Sequence, residues 1–234
     1  MYLLAICVIC LSILGIKTST HWQSLAQAKF AVNKIDHAFN MRGMVKVAEY
    51  RLASETWEMD ELLRLRYQVY CKEKQWLKAD DYPDGRETDQ FDAHSVHFLA
   101  LKNNEVAGTV RAIFPSESGL PITNLFRITV PESVIHYVEI SRLAVDKDAR
   151  GLEFTIGLLH ALFSWCVERG VTHGYAVLEN NLLEFLMRIG YPFKKVGDQK
   201  FLYGGYNLPV CMELSAIASL YFQISLLEKV LFLL

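Results

Sequence analysis

The sequence predicts a mixed α/β domain around one central sheet. Three observations predict it. Strand-like and helix-like stretches alternate in the order β-α-β-β-β-α-β-α-β-β. Turn and cap residues (Asn103-Asn104, Gly170, Asn180, Gly190) punctuate them at short intervals. The 234 residues suit one domain with appended ends, and a core of roughly 150–200 residues buries about 70% of its unfolded surface without a staple. The expected division is an apolar N-terminal segment and linker over 1–43, the domain over 44–213, and an apolar C-terminal helix over 214–234.

Met44 to Ala53 is strand-like, and Ser54 is placed to cap a helix reaching about Lys74. Leu62, Leu63, Arg66, Val69 and Tyr70 share one face of that helix. Residues 77–94 form a polar loop with five aspartates, Asp80, Asp81, Asp84, Asp89 and Asp92. Val96–Leu101 and Val106–Phe114 flank the Asn-Asn turn, which predicts an antiparallel hairpin. Tyr137–Val145 is the next strand, followed by a helix from Leu152 to Arg169 stopped by Gly170. Val171–Leu178 is a strand, and Asn180 opens a helix ending at Gly190. Tyr191–Val196 and Leu208–Leu214 complete the strands.

Composition narrows the function classes. A net charge of −2 argues against a broad nucleic-acid footprint. Five scattered cysteines (7, 10, 71, 166, 211) fit a reduced, cytoplasmic domain. The one close pair, Cys7-x-x-Cys10, lies in an apolar run and reads as membrane or core packing rather than redox or zinc chemistry, and the seven histidines show no paired ligand spacing. The ends are different. Residues 1–16 carry no charge but are short for a membrane span, which needs about 20 apolar residues. Lys17, Lys29, Lys34, Arg42 and Lys46 follow, so if this segment inserts, the body stays on the cytoplasmic face of the inner membrane. The alternatives are a buried or interfacial N-terminal helix and, third, upstream sequence that is not natural coding sequence. The tail has no charge from Leu214 to Leu227, and its spaced polar residues fit an amphipathic helix that packs on the body or touches a membrane surface.

Chemistry-bearing residues fall in three clusters. Arg66 and Tyr70 lie one helical turn apart. Glu87-x-Asp89-x-x-Asp92 is followed by Arg111 inside an apolar strand. Glu139-Ile-Ser-Arg142 lies inside another. Charges within core strands are costly unless paired, so Arg66 and Arg111 call for partners such as Asp89 and Asp92. One reading is an ion-pair network that pins the loop to the sheet. The other is a polar cleft that grips a zwitterion, with arginine on a carboxylate and carboxylates on an amine. The two are compatible. Strict alternation puts Glu139 and Ser141 on one face and Arg142 on the other, so a single site needs a bulge there. A bulge also turns backbone N–H groups towards a thioester oxyanion.

These residues carry a resemblance. Arg66–Glu73 (RYQVYCKE), Asp81–Gly85 (DYPDG), Glu87–Asp92 (ETDQFD), His94–Ala100 (HSVHFLA), Ala107–Arg111 (AGTVR) and Glu139–Val145 (EISRLAV) resemble the PEP-CTERM/exosortase-associated acyltransferases of bacteria. Gly170–His173 and Phe201–Gly205 fit the same pattern. That group is similar to long-chain N-acyl amino acid synthases and to acyl-homoserine lactone synthases, and the resemblance covers roughly residues 44–213. It implies a GNAT-like fold, no tightly bound cofactor, an acyl-phosphopantetheine donor on acyl carrier protein, and an amino acid acceptor. Carried over by position, Arg66, Asp89, Asp92, Arg111, Glu139 and Arg142 match shared charged positions, and Tyr70 and Trp76 match aromatic ones.

The roles expected are therefore catalysis by Glu139 and Arg142, with Glu139 as base, and substrate binding by Arg66, Tyr70, Trp76, Asp89, Asp92 and Arg111. The coenzyme A loop of such enzymes, Q/R-x-x-G-x-G/A, is reduced here to Val145–Phe154 with one glycine. Arg150 and Gly151 at a helix start would serve a single phosphate, which favours a carrier-protein donor. The helix from Asn180 to Ile189 lacks the tyrosine that protonates the leaving thiolate in many GNAT enzymes. An autoinducer synthase using S-adenosylmethionine and a non-catalytic carrier- or membrane-binding relative are the alternatives.

Overall fold

The computed structural model describes residues 48–217. Its strands are β1 (Glu49–Leu52), β2 (Ser95–Lys102), β3 (Glu105–Ile113), β4 (Tyr137–Val145), β5 (His173–Glu179), β6 (Lys194–Lys195), β7 (Lys200–Leu202) and β8 (Gly205–Glu213). Its helices are α1 (Thr56–Tyr67), α2 (Pro121–Leu125), α3 (Leu152–Glu168) and α4 (Asn180–Arg188). Among the described residues they form one mixed sheet in the order β1-β2-β3-β4-β5-β8-β6, with β7 also on β8. Only β4 and β5 pair in parallel.

The sheet is covered on both faces. On one, α3 buries Phe154, Leu158, Leu162, Phe163 and Cys166 against Phe98, Val110, Val138 and Met212, and α4 adds Leu183 and Leu186. Each such leucine contributes about 1.5–3 kcal/mol by leaving water. Gly157 lets α3 approach β1: a Cβ there would collide with the Tyr50 ring, whose hydroxyl donates to the Glu153 carbonyl at 3.1 Å. On the other face, Leu65, Val69 and Tyr70 pack over Ala144, and Ile122 and Phe126 cover Ile113 and Tyr175.

Several expectations change. Ser54 does not cap α1. Glu55 holds the N-cap position, and the buried Glu58 carboxylate accepts from the Ser54 and Glu55 N–H groups at 2.8 and 3.0 Å while pairing with Arg51. A full carboxylate bound to an arginine outcompetes a serine hydroxyl. The helix expected to reach Lys74 stops as α-helix at Tyr67 and widens into a π-turn over Gln68–Glu73, where Lys74 N–H reaches back five residues to Val69 (2.9 Å). The strand expected over 191–196 shrinks to β6, because Pro192 has no N–H for the ladder. The five-residue α2 and three-residue β7 are too short for sequence periodicity to show. Residues 44–47 of the first strand lie outside the described residues, as do the N-terminal segment and the tail beyond 217. Among the described residues no helix is long and apolar enough to cross a membrane.

Two irregularities shape the centre. Thr109 pairs with Ala144 and Arg111 with Ser141, so Arg142 and Leu143 together oppose Val110: β4 is bulged where Glu139 and Arg142 need it. Arg142 is left-handed there, with φ +52°. Beyond Ile140 and Ala176 the pairing of β4 with β5 ends, while β5 continues along β8 to Glu179. The strands part, and a cavity opens between them.

Candidate active site

The cavity has a volume of about 400 Å³. Glu139, Ser141, Arg142 and Leu143 of β4 form one wall, and Ala176 to Glu179 of β5 form the other. Apolar side chains from α3 and α4, including Leu159, Phe163 and Leu186, close one side. Tyr70, Lys74, Trp76 and Tyr203 stand on the other.

Glu139 is the titrating group in that wall. Its side chain is buried, and its Oε2 accepts from the Ile122 backbone N–H at 2.8 Å. Burial pushes its carboxyl up to about 7, against the smaller opposing pull of that N–H and of Arg111 and Arg142. At neutral pH this carboxyl exchanges protons readily, as a general base requires.

Behind the wall, three arginines meet three carboxylates. Arg66 Nε binds Glu87 at 2.6 Å and its Nη atoms bind Asp92 at 2.8 and 3.3 Å. Arg111 holds Asp89 with both Nη atoms, at 2.6 and 2.9 Å, and reaches Asp92 at 2.5 Å. Arg142 binds Glu87 at 2.8 Å and Asp89 at 2.9 Å. Arg66 and Arg111 are fully buried. The three carboxyls are held below their ordinary range by these guanidinium partners, which outweigh the opposing cost of burial. His97, whose ring nitrogens have no hydrogen-bond partner, lies 3.6 Å from Asp92, and burial drives it down to about 4, so it is neutral.

The sequence-predicted residues therefore separate. Tyr70, Trp76, Glu139 and Arg142 line the cavity. Arg66, Asp89, Asp92 and Arg111 do not, and instead bind one another behind it. Arg142 belongs to both sets. Its guanidinium sits 5.8 Å from the Tyr70 ring centre, and Tyr70 donates to the Leu143 carbonyl at 2.8 Å. That bond ties the π-turn to the bulge. Trp76 stacks on Tyr70 at 5.6 Å and faces Tyr203 at 6.1 Å. Arg150 pairs with Glu73, the Glu153 carboxylate lies over Gly151, and neither Arg150 nor Gly151 lines the cavity. Arg150 and Gly151 thus lie beside two of the protein's own carboxylates, Glu73 and Glu153.

Sequence reasoning did not assign roles to Glu87, Ser141 or Tyr203. Glu87 was visible inside the acidic stretch. Tyr203 was visible only inside the Phe201–Gly205 stretch that fits the resemblance. Among the described residues no group of three His, Cys, Asp or Glu side chains could hold a metal ion.

Comparison with known proteins now decides the family. Residues 61–215 match the family described as N-acyl amino acid synthase FeeM. The chain belongs to this family. An acyl-homoserine-lactone synthase of Aliivibrio fischeri is 26% identical over 171 residues, covering 68% of this chain and 86% of that relative. An isovaleryl-homoserine lactone synthase of Bradyrhizobium diazoefficiens is also 26% identical, covering 67% of this chain and 73% of that relative. The solved CoA-dependent acyl-homoserine lactone synthase BjaI superposes with a TM-score of 0.64 at 23% identity, covering 76% of this chain and 89% of BjaI. Escherichia coli ElaA gives 0.51 at 19% identity, covering 71% of this chain and 99% of ElaA. The two superpositions carry the fold, that of the GNAT-like acyltransferases. This FeeM-family protein is an N-acyltransferase.

Proposed function

We propose that the chain transfers a long-chain fatty acyl group from an acyl-carrier-protein thioester to the α-amine of an amino acid. The observation that carries this reading is Glu139, a proton-exchanging carboxyl in the wall of a largely apolar cavity between two parted strands. Glu139 takes a proton from the acceptor's ammonium, directly or through water. The amine attacks the thioester carbon, the C–S bond breaks, the proton held by Glu139 passes to the departing sulfur, and the new amide nitrogen gives its second proton to solvent.

The acyl chain lies towards Leu159, Phe163 and Leu186, and the acceptor enters past Trp76 and Tyr203. The guanidinium groups of Arg66, Arg111 and Arg142 are engaged by Glu87, Asp89 and Asp92. Lys74, in the cavity lining and 3.8 Å from Glu73, is the cation placed to meet an acceptor carboxylate. The single glycine between Val145 and Phe154 leaves few free backbone N–H groups for a coenzyme A pyrophosphate, which supports the carrier-protein donor.

The test is mass spectrometry of lipid extracts from an expressing host, with purified enzyme given acyl carrier protein or coenzyme A thioesters of the same acyl chain. Acyl amino acids, made faster from the carrier protein, are expected. Acyl lactones, or faster turnover of the coenzyme A thioester, would overturn the acceptor or the donor assignment respectively. The names of the similar synthases favour one second reading: an autoinducer synthase acylating S-adenosylmethionine, whose product is the lactone.

A further inference from the structure

The attacking amine has a base in Glu139, and the bulge in β4 offers backbone N–H groups to the carbonyl oxygen, but that oxygen has no assigned side-chain donor. Ser141 lies two residues along β4 from Glu139, on the same face of the strand, and lines the same cavity. Its Oγ accepts a hydrogen bond from Arg111 Nε at 3.1 Å. Arg111 is fully buried, and its other nitrogens are locked by Asp89 and Asp92. The guanidinium therefore fixes which side of the hydroxyl oxygen is used as acceptor. Among the described residues the Ser141 O–H finds no acceptor of its own, so its hydrogen is left for whatever occupies the cavity.

We propose that the Ser141 hydroxyl donates the hydrogen bond that holds the thioester carbonyl oxygen as negative charge builds on it. As the amine nitrogen bonds to the carbonyl carbon, the C=O π pair moves onto oxygen. Ser141 stabilises that oxyanion without giving up its proton. The pair then returns, the C–S bond breaks, the proton removed by Glu139 goes to sulfur, and the nitrogen, now an amide, releases its second proton to solvent. Arg111 acts through Ser141 and is a positioning residue: its charge polarises the O–H and its fixed Nε aims it. This rests on acyl transfer itself and holds for any amine acceptor, so it is separable from the acceptor proposed above.

The test compares wild type, Ser141→Ala and Ser141→Thr. Ser141→Ala should lower kcat by about 10²-fold, the loss typical of one oxyanion donor, with KM for donor and acceptor changed by less than about twofold and Tm lowered modestly, because the buried Arg111 Nε–H loses its acceptor. Ser141→Thr should restore most of the rate. Binding gives a second readout independent of turnover, using the ketone analogue of a hexadecanoyl-pantetheine thioester and its carbonyl-free thioether. Wild type should prefer the ketone by roughly three- to tenfold, one neutral hydrogen bond, and Ser141→Ala should show no preference. A kcat for Ser141→Ala within about twofold of wild type, or equal ketone preference in both proteins, would overturn the proposal. So would a Ser141→Thr variant that regains the wild-type Tm but not the rate, which marks a purely structural hydroxyl, or a mass shift on incubation with thioester alone, which marks acylation of the serine.

Discussion

Glu139 shows how one residue's role depends on its surroundings. A strand glutamate in water titrates at 4.5, but in this wall burial lifts it to about 7. Glu139→Gln keeps the shape and the bond from Ile122 while removing the base, so turnover should fall about 10²-fold or more. The wild-type rate should rise with pH through about 7, where Glu139 loses its proton, and that limb should vanish in the variant. A variant whose profile keeps the limb would move the base elsewhere. The stability signature has the opposite sense. A carboxyl whose folded value is raised contributes stability below 4.5, and that contribution is lost as pH rises through about 7. Denaturant titration should therefore find Glu139→Gln less pH-dependent than wild type over that window.

At the scale of elements, the bulge in β4 and the π-turn after α1 are one device. The extra residue in each breaks a regular period, and the Tyr70–Leu143 hydrogen bond joins them. The bulge costs about 1–2 kcal/mol for a left-handed arginine, and the Glu87 and Asp89 bonds to Arg142 offset it. Arg142→Ala would leave two partly or fully buried carboxylates short of a partner and should cost about 3 kcal/mol in urea unfolding. The start of α1 offers a control outside the cavity lining. Glu58→Ala removes the acceptor for two backbone N–H groups and for Arg51. It should lower stability by about 1–3 kcal/mol, measured by thermal melting, with kcat unchanged.

For the whole molecule, the buried network sets the acid limit. Asp89, Asp92 and Glu87 have folded values below their ordinary ones, so they contribute stability above those values that is lost as pH falls beneath about 4. His97 acts earlier, because its folded value of about 4 lies below the ordinary 6.5 and stability drains between the two. His97→Gln should flatten that upper window in pH-dependent melting and leave the steep loss below pH 4. Much of this architecture was legible in the chain. The strand and helix order follows from hydrophobic period and turn residues, and the need to pair Arg66, Arg111 and the acidic loop follows from the cost of burying charge. Gly170 and the Asn103-Asn104 turn stand where local conformation demands them, with φ of +77° at Gly170 and +53° and +66° at the two asparagines. These are properties of near neighbours, so sequence alone determines them. Which arginine meets which carboxylate, that Glu139 stands apart from the network, that Tyr203 faces Trp76, and that β4 and β5 part to leave a cavity are set by contacts between residues 20 to 130 positions apart. Only the tertiary structure decides those, because desolvation and distance, the two quantities that fix a buried charge's partner and its proton affinity, exist only once the chain is packed.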